Sequence, residues 1–498
     1  MRTPSLYSVE STADPLSHAL KSAHAYESPD ERRMRLDAEA EAKRVSDRID
    51  EELRQERERL KRSRGDVKLL LLGQAESGKS TLQKQFQLMY RPSSLEQERA
   101  SWRTVIYFNV VHSLKHILTT LESWDDTFDD GPRPLPDPRQ YNKGADLPPL
   151  PNGMPGLPSR SDSPAFNSRA NRIGYLRSRL TPLLATDQPL ADRLSGGVSI
   201  LGSKGGLYVR SGWQARTVDK ALGRNKKPSS DLDMRRGRDG WPDDDSDVLL
   251  NDIARMLAAF KEDIRELWSH PTVKGLIMKR KLKLDEWSEF FLKDITRIAA
   301  ADYIPTTDDI LHARIQTMGV AEHIFDVDLH GKSVTWHLYD VGGARGQRHS
   351  WIPYFDTANA IIFVAPVSAF DQYLEEDPRT NRIDDSLQLF TQVCSNALLK
   401  SVHLVLFLNK TDLLKSKIDN GLRVAKYITS FGDRANDYET VVQYFRAHFL
   451  QVHRRNNENR RVLYTHFTSV VDTKTTQRII GNVRDSIFRG YLQSAALV

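Results

Sequence analysis

Hydrophobic and polar positions divide the chain into regimes with different periods. Residues 1–27 are Ser/Ala-rich without periodicity and are expected to be mobile. Ser28-Pro29-Asp30-Glu31 then has the form of a capping box with proline at the first helical position, opening a long charged helix to about residue 64. Its apolar stripe is thin (Ala38, Ala42, Val45, Ile49, Leu53, Leu60). It suits either a solvated helix held by i,i+4 pairs or a helix that buries the stripe on a partner. A buried strand at residues 67–72 leads through a Gly-containing loop into a helix near 80–89, and a second long helical pattern runs from 95 to 124. Residues 131–165 then hold ten of the 23 prolines, and little periodicity survives to about 245. The stretch 126–245 therefore predicts a mostly disordered insertion with one short helix near 177–184. Helical patterning returns at 248–268 and 284–300. Strands are predicted at 323–329, 334–341, 360–366, 403–408 and 462–467, with amphipathic segments between them. That alternation implies an α/β fold, a mostly parallel sheet with helices on both faces.

At 498 residues the chain exceeds one ordinary core, and two or three domains are expected. Charged residues at 28% and hydrophobic residues at 39% fit a soluble globular protein, with no apolar run approaching membrane-spanning length. A single cysteine, Cys394, excludes an intramolecular disulfide framework and suits a reducing, intracellular setting. The fourteen histidines show no zinc spacing. A net charge of +6 comes from mixed blocks, not a basic stripe, which argues against nucleic-acid binding and leaves attraction to an anionic membrane surface open.

Two motifs carry the chemistry. Gly73-Gln74-Ala75-Glu76-Ser77-Gly78-Lys79-Ser80 matches the phosphate-loop pattern GxxxxGK[ST] in the required strand–loop–helix context, and Thr81 follows it. Glycines let the backbone wrap, amides and a helix N-terminus face the phosphates, Lys79 neutralises β/γ oxygens and Ser80 is a magnesium ligand. Asn409-Lys410-Thr411-Asp412 follows a strand, and an aspartate there can accept from the N1 and N2 donors of guanine, a pattern adenine lacks. Together they predict a guanine-nucleotide protein and disfavour an ATPase.

With these motifs placed, the chain resembles the α subunit of heterotrimeric G proteins. The likeness rests on LLLLGQAESGKST, DDILHARIQTMGV, DVGGARGQRHSW, FLNKTD, YTHFTSVVDT and the Leu492/Leu497 spacing near the C-terminus. The resemblance implies a Ras-like GTPase domain over 66–94 and 308–498, and an inserted all-helical domain over 95–307 that contains the 126–245 insertion. Residues 1–65 would be a mobile tail and partner-binding helix. It also implies roles. Arg314 is the built-in arginine finger, and Thr317 completes magnesium coordination with Ser80, while Asp340 acts through water. Glu76 pairs with Arg314 in the GDP state, and the Gly343 amide senses the γ-phosphate. Arg348 and Asp385 lock switch II. Asn409 and Asp412 read the base, Lys410 stacks on it, and the Val470 amide reaches guanine O6. Gly73, Ser77, Gly78, Thr81 and Leu311 complete the nucleotide-binding set, with Mg2+ and GTP or GDP bound.

The departures are as informative. Ala344 stands where the family carries the glutamine that orients the attacking water. Ala75 replaces a phosphate-loop glycine, Asp385 a glutamate, and Thr468-Ser469-Val470-Val471 replaces Thr-Cys-Ala-Thr. Gln347 is expected on the switch II helix, facing elsewhere. These changes predict retained binding with slow hydrolysis. Position 2 is arginine where N-myristoylation needs glycine, and no N-terminal cysteine is present for palmitoylation. Membrane contact is then expected from partners and basic residues such as Arg32, Arg33 and Arg35, or the true start lies at another methionine. The expected reading is a cytoplasmic GDP/GTP switch, peripheral at the inner face of the plasma membrane. It would bind a βγ dimer, couple through its C-terminal tail to a seven-helix receptor, and signal to an effector. The alternative is a GTP-locked signalling scaffold that does not turn over, with the insertion as its docking element.

Overall fold

The computed structural model describes residues 28–62, 66–126, 164–195, 208–210, 245–329, 332–374, 376–456 and 461–494. The chain forms two compact units, Met1–Asp66 and Val67–Val498. In the first, helix α1 (Pro29–Arg62) begins as its sequence dictates. Ser28 N donates to Glu31 Oε2 at 2.9 Å, and Glu31 N donates back to Ser28 Oγ at 3.4 Å. Ion pairs one turn apart, such as Arg35–Glu39 at 2.7 Å, line its surface. Val45 and Ile49 of the thin apolar stripe are exposed.

The second unit is built on a six-stranded sheet. Its strands are β1 (Val67–Leu72), β4 (Val320–Leu329), β5 (Lys332–Val341), β6 (Ala360–Pro366), β7 (His403–Asn409) and β8 (Leu463–Thr468), in the order β4-β5-β1-β6-β7-β8. Every neighbouring pair is parallel except β4–β5, which is antiparallel. The predicted α/β class with a mostly parallel sheet is therefore the fold observed.

Alternation along β1 shows how both faces are buried. Leu70 and Leu72 join one core with Phe390 of α8 (Arg382–Ser395) and Phe445 of α9 (Tyr438–Arg455). Val67, Leu69 and Leu71 join the other, with Phe86 of α2 (Lys79–Tyr90) and Ile480 of α10 (Thr473–Ser494). A parallel strand covered on both sides is apolar on both faces, which is why β1 reads as a run, broken only by the partly buried Lys68 near its start, instead of an alternation.

A separate helical core is formed by α3 (Trp102–Asp126), α4 (Pro164–Leu184), α5 (Asp187–Ser195), α6 (Asp245–Ser269) and α7 (Glu286–Lys293). Here the structure corrects the expected insertion of 126–245. Ile173, Leu176, Leu180 and Leu183 of α4 fall at helical spacing and are buried in this core, as are Leu190 and Leu194 of α5. Residues 164–195 thus belong to the helical lobe, and the polar residues between these six apolar anchors obscure their period in the sequence. A three-residue strand, β2 (Tyr208–Arg210), also lies parallel to β3 (Gln316–Met318). The remainder of the expected insertion and the first 27 residues lie outside the described residues.

Leu180 is fully buried one turn before the end of α4. Leu180→Ala is expected to lower unfolding stability by about 2–5 kcal/mol, measured as a fall in the denaturant midpoint. A midpoint equal to wild type would mean that α4 does not help to build the helical core.

Candidate functional site

The loop 73–78 joins β1 to α2 at the carboxyl ends of the parallel strands, where open α/β sheets form their crevices. Gly78 has φ +103°, and a Cβ there would lie 2.3 Å from Asn409 Nδ2, so both the conformation and the space require glycine. Lys79 is buried and folds back over the loop, donating to Gly73 O at 2.9 Å and Gln74 O at 2.6 Å. Burial pulls its pKa down to about 8, with Asp340 acting in the opposite sense and Arg348 and Arg382 reinforcing the fall. A neighbouring cleft of about 460 Å³ is lined by this loop, by Arg314, and by the Asn409–Asp412 turn, a size suited to a small-molecule ligand.

Cations converge on the loop from separate elements. Arg314 pairs through Nη2 with Glu76 Oε1 and through Nη1 with Asp285 Oδ2 at 2.6 Å. Its backbone is gripped in both directions by the buried Asn109 of α3: Arg314 N donates to Asn109 Oδ1 at 2.9 Å, and Asn109 Nδ2 donates to Arg314 O at 3.1 Å. Arg382 reaches Glu76 Oε2 at 2.8 Å and Ala75 O at 2.5 Å. Burial alone would raise the Glu76 carboxyl, but the charges of Arg314, Arg382 and Lys410 overcome it and hold its pKa at about 2. Glu76 and Lys410 also adopt positive φ (60° and 65°), a costly conformation for non-glycine residues that is found here at two turns lining the cleft.

Three oxygen-bearing side chains meet below the loop. Ser80 Oγ donates to Asp340 Oδ2 at 2.6 Å, Thr317 Oγ1 donates to the same oxygen at 2.9 Å, and the two hydroxyls are 2.9 Å apart. Among the described residues Asp340 Oδ1 is buried without a hydrogen-bond partner. Two hydroxyls and a carboxylate with a spare oxygen form a donor set suited to a hard cation such as Mg2+. Gly343 closes this corner: a Cβ there would lie 2.4 Å from Ala75 N, so only glycine lets the 340–344 strand end reach the phosphate loop.

On the far side, Asn409 is fully buried and committed to protein partners. Its Nδ2 donates to Ser77 O at 2.8 Å, and its Oδ1 accepts from Thr468 Oγ1 at 3.0 Å and from Val470 N at 3.2 Å. Asn409, expected to read a base, ties the phosphate loop to the end of β8 and to Val470, and it lines the cleft together with Asp412 and Val470. Lys410 Nζ pairs at 2.5 Å with Glu286 of α7, linking the sheet lobe to the helical one. Leu311 lines the same cleft, and its carbonyl accepts from Thr81 Oγ1 at 3.5 Å.

The chain belongs to the G-protein alpha subunit family. A family model described as "G-protein alpha subunit" matches residues 43–487. A guanine nucleotide-binding protein alpha-4 subunit of Mycosarcoma maydis is 33% identical, covering 97% of this chain and 96% of that one. A G(o) subunit alpha of Geodia cydonium is 26% identical, over 92% of this chain and 97% of that one. An alpha-1 subunit of Kluyveromyces lactis is 26% identical, over 92% and 96% respectively. Members of this family bind GDP and GTP and are in general GTPases, with βγ dimers, receptors and effectors as their partners.

Within this alpha subunit, Arg348 meets Asp385 as expected, at 2.6 Å, and the buried aspartate takes two further donors: Arg345 Nε at 2.9 Å and Gln74 Nε2 at 2.5 Å. Burial would raise the Asp385 carboxyl, but these hydrogen bonds and the Arg348 charge keep it low. Ala344 stands at the N-cap of the segment expected as the switch II helix, which is a 3₁₀ helix over Arg345–Tyr354. Gln347 does not face elsewhere. At three residues per turn it returns to the side of the cleft, which it lines. Sequence reasoning missed Asn109, Gln74, Arg382, Asp285 and Glu286. Asn109, Arg382 and Glu286 meet their partners across 124 to 306 residues, Gln74 sits inside the phosphate-loop motif but meets Asp385 across 311, and Asp285 reaches Arg314 across 29; no local pattern announces any of these pairings.

Because Lys79 has its pKa drawn down to about 8, and an anionic ligand favours its charged form, nucleotide affinity is expected to fall as pH rises above about 8, approaching tenfold per unit. Equilibrium titration with a fluorescent GDP analogue between pH 7 and 9 checks this. A flat profile would show that Lys79 stays fully charged in the empty site.

Proposed function

We propose that this chain is a GDP/GTP switch whose hydrolytic step is slowed at Ala344 while nucleotide binding is intact. The observation that carries the reading is the meeting of Ser80, Thr317 and Asp340 oxygens within 2.6–2.9 Å, directly beside Lys79 and a cleft bordered by Arg314. Phosphate-loop amides at Glu76, Ser77, Gly78, Lys79 and Ser80, with the loop turning at Gly73, surround the phosphates, and Lys79 neutralises β/γ charge. Arg314, already oriented by Asn109, Glu76 and Asp285, stabilises charge on the transferring phosphoryl group. Ser80 and Thr317, with Asp340 through water, would hold Mg2+, which would supply charge neutralisation at the phosphates. Asp412 accepts from the guanine N1 and N2 donors, Lys410 covers the base, and the Val470 amide lies toward O6. The Gly343 amide answers to the γ-phosphate.

Slow turnover follows from what Ala344 lacks. A methyl side chain neither donates to nor accepts from an attacking water, whereas every charge-stabilising group of the site is present. Ala75 adds a methyl where the phosphate loop meets Gly343, tightening the same corner. The exposed Val45 and Ile49 on α1 suit a βγ dimer, with the 3₁₀ segment after Ala344 as the second contact. The receptor site is the C-terminal helix and tail, and the protein works at the cytoplasmic face of the plasma membrane, held there by partners and by basic residues of α1.

The test is single-turnover GTP hydrolysis by wild type beside Ala344→Gln. Restoring a positioned transition-state contact is expected to raise the rate on the order of 10²-fold, about 3 kcal/mol, with GTP affinity little changed. No gain from Ala344→Gln, or a wild-type rate already equal to it, would overturn the slow-step assignment.

A further inference from the structure

Gln74, the phosphate-loop residue before Ala75, is buried, and its amide is directed onto the first turn of α8. Its Nε2 donates to Arg382 O at 2.8 Å and to Asp385 Oδ2 at 2.5 Å, so both amide hydrogens are used there. Asp385, also buried, gathers donors from two separate stretches of chain. Its Oδ2 accepts from Gln74 and from Arg348 Nη2 at 2.6 Å, while its Oδ1 accepts from Arg345 Nε at 2.9 Å and Arg348 Nη1 at 3.3 Å. The turn that carries the carboxylate is itself fixed, with Ile383 N donating to Asn381 Oδ1 at 2.8 Å and Asp385 N donating to Asn381 O at 3.0 Å. The phosphate-loop end is fixed too, since Gln74 O accepts from Lys79 Nζ at 2.6 Å. A second contact lies close by. A Cβ built on Gly343 would stand 2.3 Å from Gln74 C, so the backbone that leads into the 3₁₀ segment packs directly on the Gln74–Ala75 peptide.

The two arginines alone would fasten the 3₁₀ segment Arg345–Tyr354 to α8. Gln74 adds the phosphate loop, making Asp385 a three-way joint. Hydrogen bonds to a buried charged acceptor are among the strong ones, and the Gln74–Asp385 brace is made wholly of protein atoms. A γ-phosphate on the Gly343 amide would hold the segment in the GTP form only, whereas the brace acts whichever nucleotide is bound. An interaction present in both forms raises the docked population in both, and so narrows the contrast between them. We propose that Gln74 is a positioning residue that keeps the segment Arg345–Tyr354 docked on the phosphate loop with GDP bound as well as with GTP bound. The inference rests on the nucleotide-switch reading above and goes beyond it: partners that grip this segment meet nearly the same surface in either form.

The test is amide hydrogen exchange followed by mass spectrometry on the full-length protein, saturated with Mg2+ and either GDP or a non-hydrolysable GTP analogue. In wild type, exchange across residues 345–354 is expected to differ between the two forms by less than about threefold. Gln74→Met keeps the bulk and removes both donors. It is expected to speed exchange of this segment roughly tenfold or more in the GDP form, and by less than about threefold in the analogue form, where the Gly343 hold remains. Gln74→Asn, whose amide is one methylene short of Asp385, is expected to behave in the same way. Peptides from β7 serve as the internal reference and should not change. A wild-type segment that exchanges more than about threefold faster with GDP than with the analogue would overturn the proposal without any variant. So would a GDP-form rate in Gln74→Met equal to wild type. A rise of equal size in both forms, or one shared by β7, would overturn it too, since it would make Gln74 a packing residue only. These results leave the nucleotide-switch reading in place; failure of the wild type to bind any guanine nucleotide would instead remove that reading and this proposal together.

Discussion

The concentration of positive charge around the phosphate loop is the constraint on which the rest of this structure depends. Lys79, Arg314 and Arg382 all lie at or beside residues 73–79, with little solvent to screen them. Such a cluster is stable only if anionic groups stand against it. Glu76 answers Arg314 and Arg382, Asp285 answers Arg314, Asp385 answers Arg345 and Arg348, and Asp340 opposes the burial of Lys79. Each counter-charge comes from a different element, so balancing the loop fixes the helical lobe, the 3₁₀ segment and α8 around it. A phosphate-bearing ligand enters a site whose cations are already oriented, and little reorganisation is left for the moment of reaction.

That organisation explains why the α/β core and the nucleotide motifs were legible in the sequence. The phosphate loop and the 409–412 turn are each contiguous in sequence, their geometry follows from glycine at Gly78 and from the strands that precede them, and β1 announces itself by the apolar run Leu69–Leu72. The long-range partners could not be read in the same way. Asn109 holds Arg314 from 205 residues away, and Glu286 reaches Lys410 from 124; neither has a local signature, since any surface Asn or Glu looks alike before the lobes close. Helix α4 was legible only in its last turns, near 177–184: its earlier anchors, Ile173 and Leu176, are spaced correctly but lie closer to a proline-rich stretch that dominates the composition.

Gln347 marks the place where local pattern misled. Three residues after Ala344, it would sit on a regular switch helix whose facing could not be known in advance. The segment instead winds as a 3₁₀ helix, tight enough to bring the side chain back over the cleft. Asn409 is a different case, a motif residue whose amide also joins loops and which lines the cleft together with Asp412. With charge balance and loop geometry in place, the loss of water positioning proposed at Ala344 fits an altered timer on a working switch better than a decayed site.

The most direct test of this account is the nucleotide carried by the freshly purified full-length protein, released by denaturation and resolved by anion-exchange chromatography against standards. The account predicts guanine nucleotide, GDP with a retained fraction of GTP, approaching one per chain. Adenine nucleotide in its place, or protein that is folded yet neither carries nor takes up a guanine nucleotide, would contradict it.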